Sequence, residues 1–287
     1  MEKDKYKATW VSHSSINDYL ECPRAYYLKN VYKDPETNNK ITIANPALSL
    51  GWAVHEVLDQ ISKLAAAERF KVSLIDRLKD VWPEVTGKKG GFFDEKIEYQ
   101  YRKRGEDMLS RIYQNPGPLK NPAIKIKNDL PYFWLSEEEE IILCGKIDWI
   151  EYLEDQDTVH IIDFKTGKNR EKPESLQLPI YYLLATQTQG KPVTKASYWY
   201  LESSSAPQEQ ALPDLDQTKK NILNIARKIK TARNLKAFTC PHGGCRACRD
   251  FERIIAGEGE KVGNNQYGAD VYILPSKNNN LKDFEII

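Results

Sequence analysis

An α/β fold built on a mixed sheet is the prediction, and three observations carry it. Helical periodicity fills the first part of the chain. After residue 140 the texture turns to β-branched and aromatic runs, and beyond them helix, strand and helix alternate. The length of 287 residues, with 40% hydrophobic and 29% charged content, suffices for a sizeable core in one large domain or two small ones.

The elements follow in order. Residues 14–32, SSINDYLECPRAYYLKNVY, read as two short helices. Ser15 with Asp18 resembles a capping box, and Pro23 suits the first turn of the second helix. Residues 45–67 carry the strongest helical pattern, with Leu50, Val54, Leu58, Ile61 and Leu64 on one face. Helices are predicted at 71–81 and 92–114, around a loop with Pro83, Gly87, Gly90 and Gly91, and short strands within 122–136. EEIILCGKIDWIEYL and TVHIIDFKT read as strands joined at the turn-prone 154–157. A helix is predicted at 173–188, with Pro173 near its start, then a strand at 193–202. The helix predicted at 215–235 carries Lys219, Lys220, Arg227, Lys228, Lys230 and Arg233. The end reads as loop with one strand at 270–274, and no internal repeat is visible.

Net charge is +1, from 42 basic and 41 acidic residues, so any nucleic-acid surface must be local. No apolar run reaches membrane-span length, and MEKDKYKATW lacks the apolar core of a signal peptide, so a cytoplasmic protein is expected. Five cysteines, an odd number, suit free thiols or metal ligands better than disulfides. Cys240, Cys245 and Cys248 crowd into CPHGGCRAC, Cys22 stands apart, and Cys144 sits in an apolar strand as a small core residue.

The stretch HIIDFKTGK ends an apolar run with an acid and a lysine. Suppose 140–151 and 158–165 pair as an antiparallel hairpin around a two-residue loop, Asp155-Gln156. Asp148 then stands opposite Asp163, and Lys165 shares the Asp163 face. Two adjacent carboxylates repel each other. Either Lys165 and Lys146 neutralise them as an ion-pair network, or a divalent cation does. Hard oxygen ligands in an incomplete cage favour Mg²⁺ or Mn²⁺. Lys165 would then be placed to hold an attacking water or to offset charge on a phosphate.

Taken together, these stretches resemble the PD-(D/E)XK nuclease superfamily, in its RecB-like branch, over most of 12–255. GKIDWI looks like the family's first metal-binding strand, with Asp148 as the acid. DFKTGK looks like its (D/E)-X-K strand, making Asp163 the second metal ligand and Lys165 the catalytic lysine, with the Phe164 carbonyl facing the metal. GWAVHEVLD resembles the upstream helix that offers a histidine, His55. QLPIYY resembles the Q-x-x-x-Y motif, in which Gln177 and Tyr181 contact the site or the DNA. The resemblance implies a restriction-endonuclease-like core at about 45–235 in a single domain, 1–287. Helices at 14–32 and a cysteine segment at 238–255 would form a clasp, followed by a tail at 256–287.

The activity so implied is metal-dependent hydrolysis of DNA to 5′-phosphate ends, by an exonuclease on single strands or DNA ends. Repair, recombination, phage replication and CRISPR adaptation are the settings, with a helicase or another repair or CRISPR protein as partner. A non-catalytic DNA-binding subunit of a helicase–nuclease complex and an RNA nuclease are the alternatives. The chain has no G-x-x-x-x-G-K-[ST] motif. Arg24, Lys168, Arg170 and the helix at 219–233 are candidate DNA contacts, and Glu137–Glu140 reads as a solvated turn. Some members carry a [4Fe–4S] cluster on one early and three late cysteines, a distribution that Cys22, Cys240, Cys245 and Cys248 match. The spacing is C-x4-C-x2-C rather than the usual C-x2-C-x5-C, whose last position falls on Ile254. Zn²⁺ on four cysteines, Zn²⁺ on three with His242, and no metal remain alternatives.

Overall fold

In the computed structural model, which describes residues 4–126, 128 and 130–275, the strands divide among three small sheets. The run expected to be one strand over 140–151 is broken. Its first half is β4 (Ile141–Cys144), which pairs in parallel with β1 (Thr9–Val11) and antiparallel with β3 (Tyr132–Ser136). Its second half is β5 (Trp149–Leu153), at the edge of a mixed sheet with β6 (Thr158–Lys165), β7 (Val193–Tyr200) and β8 (Gln208–Gln210). Gly145 lies at the break. A Cβ there would come within 3.0 Å of Leu184 Cδ1, so the chain passes close against α6 (Gln177–Thr188).

β6 is buried on both faces, which explains its near-continuous apolar run. Ile161 packs toward α6 and α7 (Leu215–Leu235), in a core with Ile150, Leu184, Tyr198 and Ile229. Ile162 and Phe164 pack the other way with Trp149 and Trp199, against Leu50, Val54 and Leu58 of α3 (Pro46–Ser62). The same core takes Leu78 of α4 (Leu74–Val81) and Met108 of α5 (Glu95–Gln114). Alternation along the strand therefore sends Asp163 and Lys165 to the α6 side and anchors Phe164 on the α3 side.

Several boundaries differ from the sequence reading for local reasons. α1 (His13–Glu21) is capped by Ser12 with Ser15 as its capping-box partner, because Asp18 is engaged by Lys29 and Asn30 at 2.7 and 3.0 Å. α2 (Pro23–Tyr26) does start at Pro23, and a wider turn continues it through Val31. α6 starts only at Gln177, leaving Pro173 in the loop before it. α8 (Arg246–Ile255) was not predicted, and the strand expected at 270–274, β10 (Asp270–Ile273), joins two that were not, β2 (Ile41–Ile43) and β9 (Glu260–Asn264), in a third sheet. That sheet is pinned by Asp270, fully buried, whose carboxylate accepts from Thr37, Asn39 and Asn264 and pairs with Lys261 at 2.8 Å. Burial alone would raise its pKa, but these donors hold it at about 2.

Candidate active site and cysteine clasp

The β5–β6 ladder runs from Leu153↔Thr158 to Trp149↔Ile162, so its continuation sets Asp148 opposite Asp163. That is the register read from the sequence, although the loop is longer. Residues 154–157 close it, with Asp157 in the left-handed region at φ 52°. Lengthening a hairpin loop by one residue on each side leaves the register untouched.

Asp148 sits at the foot of β5. Its Oδ2 accepts the Phe164 backbone N–H at 3.0 Å, and its Oδ1 lies 3.3 Å from His55 Nδ1. α3 delivers His55, and it approaches the end of β6 closely because Gly51 faces Thr166 Oγ1, which a Cβ would meet at 3.2 Å. Desolvation pulls the His55 pKa down, but attraction to Asp148 and Asp163 overrides it and raises the imidazole above its ordinary value. The reciprocal pull, added to the Phe164 amide, keeps Asp148 below the usual carboxylate range despite its burial.

Asp163 is 1% exposed. Its Oδ1 accepts from Gln177 Nε2 at 2.7 Å. Its Oδ2 lies 3.0 Å from Lys165 Nζ, outside hydrogen-bonding geometry, and has no donor of its own. Burial, and then repulsion from Asp148, push its pKa up to about 7. Two carboxylates and an imidazole around an undonated oxygen fit a hard divalent cation that keeps waters of its own. Lys165 is paired with Asp163 and Glu171, each at 3.0 Å, donates to Gln177 Oε1, and stands over the Tyr198 ring at 5.1 Å. Tyr181, one turn on from Gln177, is nearly buried with its hydroxyl 3.4 Å from Gln177 Nε2. The fold thus brings together His55, Asp148, Asp163, Phe164, Lys165, Gln177 and Tyr181. Phe164 takes part through its N–H, while its ring packs against Trp149, Trp199 and His55. The alternative partner Lys146 turns away to Asp59 at 3.1 Å.

Two residues at this site were missed. Glu171 lies in the loop between DFKTG and QLPIYY, where an acid near a D-x-K end was the only available signal. His13, at the start of α1, feels both Lys165 and Glu171, and desolvation lowers its pKa to about 4. Nothing in the local sequence marks it.

The candidate DNA contacts divide. Arg24 is tied to Glu252 of α8 and stacks on Tyr27, so it serves the clasp. Arg170 reaches Gln208 and lies over Tyr200 beside the site loop, and Lys168 is exposed there. The basic face of α7 is partly spent on the acidic turn. Arg227 binds Glu139 at 2.6 Å, and Lys230 donates to the Glu139 carbonyl. Glu139 is therefore an anchor and not a free solvated acid.

Cys22 caps α2 and Cys245 caps α8, and with Cys240 and Cys248 their sulfurs all lie within 4.8 Å of one another. The group joins the first helices to the last, as a clasp would. Cys240 accepts the backbone N–H of His242, whose imidazole is not in the group. A tetrahedral ion with metal–sulfur bonds of about 2.3 Å sets its sulfurs about 3.8 Å apart. The Cys245–Cys248 separation is 3.7 Å, and the four sulfurs, all within 4.8 Å of one another, are close enough to share a metal. A cubane cluster, with an iron between each sulfur and its centre, would spread them further. Cys144 is buried in β4, where burial raises its thiol pKa to about 11.

A second polar cluster is buried under the sheet. His160 bridges Glu151 at 2.8 Å and Ser197 at 2.7 Å, and Asn121 donates to Glu151 at 2.6 Å. The connectivity is that of a hydrolase triad, but all three triad-like residues are buried, so no substrate reaches it.

Known proteins share this arrangement of sequence. The chain is 29% identical over 200 residues to a subunit of the ATP-dependent helicase/deoxyribonuclease of Clostridium novyi (strain NT), covering 62% of this chain and 17% of that protein. It is 25% identical over 181 residues to the like-named protein of Clostridium tetani (strain Massachusetts / E88), covering 55% of this chain and 15% of that protein. The matched stretch is thus less than a fifth of either relative. Residues 10–250 match the sequence profile of the PD-(D/E)XK nuclease superfamily, a span that holds the carboxylates, Lys165 and all the cysteines, and the chain belongs to that superfamily.

Proposed function

We propose that the chain is a Mg²⁺- or Mn²⁺-dependent exonuclease that hydrolyses DNA phosphodiesters to 5′-phosphate ends, acting on single strands or DNA ends. One observation carries the reading: Asp148 and Asp163 face each other across the hairpin with the Lys165 ammonium fixed beside them. His55, Asp148, Asp163 and the Phe164 carbonyl would hold the divalent cation. When bound, that cation supplies Lewis-acid stabilisation of the phosphate and of the water that attacks it.

The chain's own groups do the rest. Lys165 orients the attacking water and offsets charge developing on phosphorus. Gln177 keeps Lys165 and Asp163 in fixed relation by accepting from the first and donating to the second. Glu171 shares the Lys165 charge and keeps the ammonium at the mouth of the site. Tyr181 closes the floor, its hydroxyl kept protonated by burial.

The four cysteines would hold a structural metal, a [4Fe–4S] cluster in this reading, with one Zn²⁺ as the alternative. The names of the relatives support DNA as substrate and a helicase as partner. The reading includes a cytoplasmic setting; among the described residues no helix is long and apolar enough to cross a membrane. The test is incubation of end-labelled single-stranded DNA, duplex DNA and RNA with Mg²⁺. Release of 5′-phosphorylated nucleotides from single-stranded DNA, stopped by a chelator, supports the reading. Intact DNA, or a product only from RNA, contradicts it.

A further inference from the structure

The site opens sideways into a cleft of about 370 Å³ that begins at Asp148. One wall is the tip of the β9–β10 hairpin, Gln266 and Tyr267, and a narrower continuation reaches His55 and Trp52. The opposite wall carries Lys63, Lys125 and Lys146, gathered around the Asp59 carboxylate at 2.7, 3.6 and 3.1 Å. Glu56 also lines the cleft, within reach of Gln60. Lys125 and Lys146 thus stand in the same cleft as Asp148.

Tyr267 is 78% exposed, at the end of a tip that is itself fixed. Asn265 accepts the N–H groups of Tyr267 and Ala269 on its side chain, both at 3.0 Å, and Gly268 supplies the left-handed residue of the turn at φ 76°. The hairpin is anchored below by buried Asp270 and by the Lys88–Glu260 ion pair at 2.9 Å. An exposed aromatic ring on a hydrogen-bonded turn, lining the same cleft as lysines, is the composition of a single-strand nucleic-acid platform. This hairpin lies beyond residues 10–250, outside the match to the superfamily.

We propose that the cleft is a nucleotide subsite beside the scissile phosphate. Tyr267 stacks on the base of a flanking nucleotide, and Lys125 and Lys146 take the next phosphate. An unpaired base is required, because a duplex hides its base faces; the subsite therefore selects single-stranded DNA. The identity of the substrate rests on the nuclease reading above.

The experiment measures binding of a fluorescein-labelled twelve-nucleotide single strand by anisotropy, with Ca²⁺ in place of Mg²⁺, for the intact chain and its variants. Tyr267→Ala is expected to weaken binding roughly tenfold and Tyr267→Phe to leave it unchanged, the size of one base–aromatic contact. An abasic strand should bind the wild type about as weakly as the normal strand binds Tyr267→Ala. Lys146→Ala should lower the salt dependence of binding. Equal binding by Tyr267→Ala and wild type overturns the proposal, as does a Tyr267→Phe variant as weak as the alanine one. Cleavage with Mg²⁺ is read in parallel. Tyr267-dependent binding without cleavage removes the nuclease reading and leaves the subsite, whereas cleavage with a KM indifferent to Tyr267 does the reverse.

Discussion

The Phe164 backbone N–H donates to Asp148 Oδ2 across the open end of the hairpin at 3.0 Å. This bond ties the first acid to the strand that carries the second. Asp148→Ala should abolish cleavage with little loss of fold. Asp148→Asn should keep the amide contact and fold yet lose at least a hundredfold in kcat, read by oligonucleotide cleavage with circular dichroism as the folding control. Cleavage by Asp148→Asn at the wild-type rate would remove this residue from the site.

Glu171 is predicted to position Lys165. Glu171→Gln should lower kcat about tenfold with KM nearly unchanged, because a loosened ammonium is lost in the transition state more than in substrate binding. Glu171→Asp should recover part of the loss. A change confined to KM would mean that Glu171 meets the substrate directly.

How much of this was legible follows from what each residue depends on. The Asp148–Asp163 pairing was readable because hairpin register depends on loop symmetry and not on loop length. β6 was readable because burial on both faces writes a continuous apolar run. The split between β4 and β5 was not, since it shows only in their pairing with different strands, β4 with β1 and β3, and β5 with β6. Arg24 looked like a DNA contact because its partner Glu252 is 228 residues away. β9 is polar and half exposed, and its place is fixed by the buried Asp270 across the ladder, so its own pattern was mute. Glu171 and His13 reach Lys165 only through the tertiary fold.

The clasp should hold four irons with sulfide per chain and give a brown protein. Cys240→Ser should lower metal content and shift the melting temperature down by several degrees, since the site joins the two ends of the described chain. Plasma mass spectrometry and absorbance near 400 nm decide it. A colourless protein with one zinc per chain would mean that the thiols close on a single ion instead.

The Glu151–His160–Ser197 network should matter for stability and not for catalysis. His160→Ala leaves a buried carboxylate and hydroxyl without their partner, a loss of about 2–3 kcal/mol in chemical denaturation. Cleavage constants measured well below the melting temperature should stay within about twofold of wild type, in line with a network that touches no reacting atom. Loss of cleavage in a folded His160→Ala protein would contradict the structural role.

Asp270 sets an acid limit on the C-terminal hairpin. Its folded pKa of about 2 lies below the ordinary value of 3.8, so its stabilisation is present above that ordinary value and is lost as pH falls from about 4 toward about 2. The melting temperature of the wild type should fall more steeply over that window than that of Asp270→Asn. Parallel curves would show that the carboxylate is not the group that pins β2, β9 and β10.

The most direct test of the central claim is the rate of single-stranded DNA cleavage by wild type and Lys165→Ala, with saturating Mg²⁺ and again with Mn²⁺. Cleavage by the wild type, its loss on chelation, and a fall of about a thousandfold in the variant, measured at a temperature where both are folded, are the expected results. Equal rates for the two proteins, or no cleavage by the wild type with either metal, would contradict it.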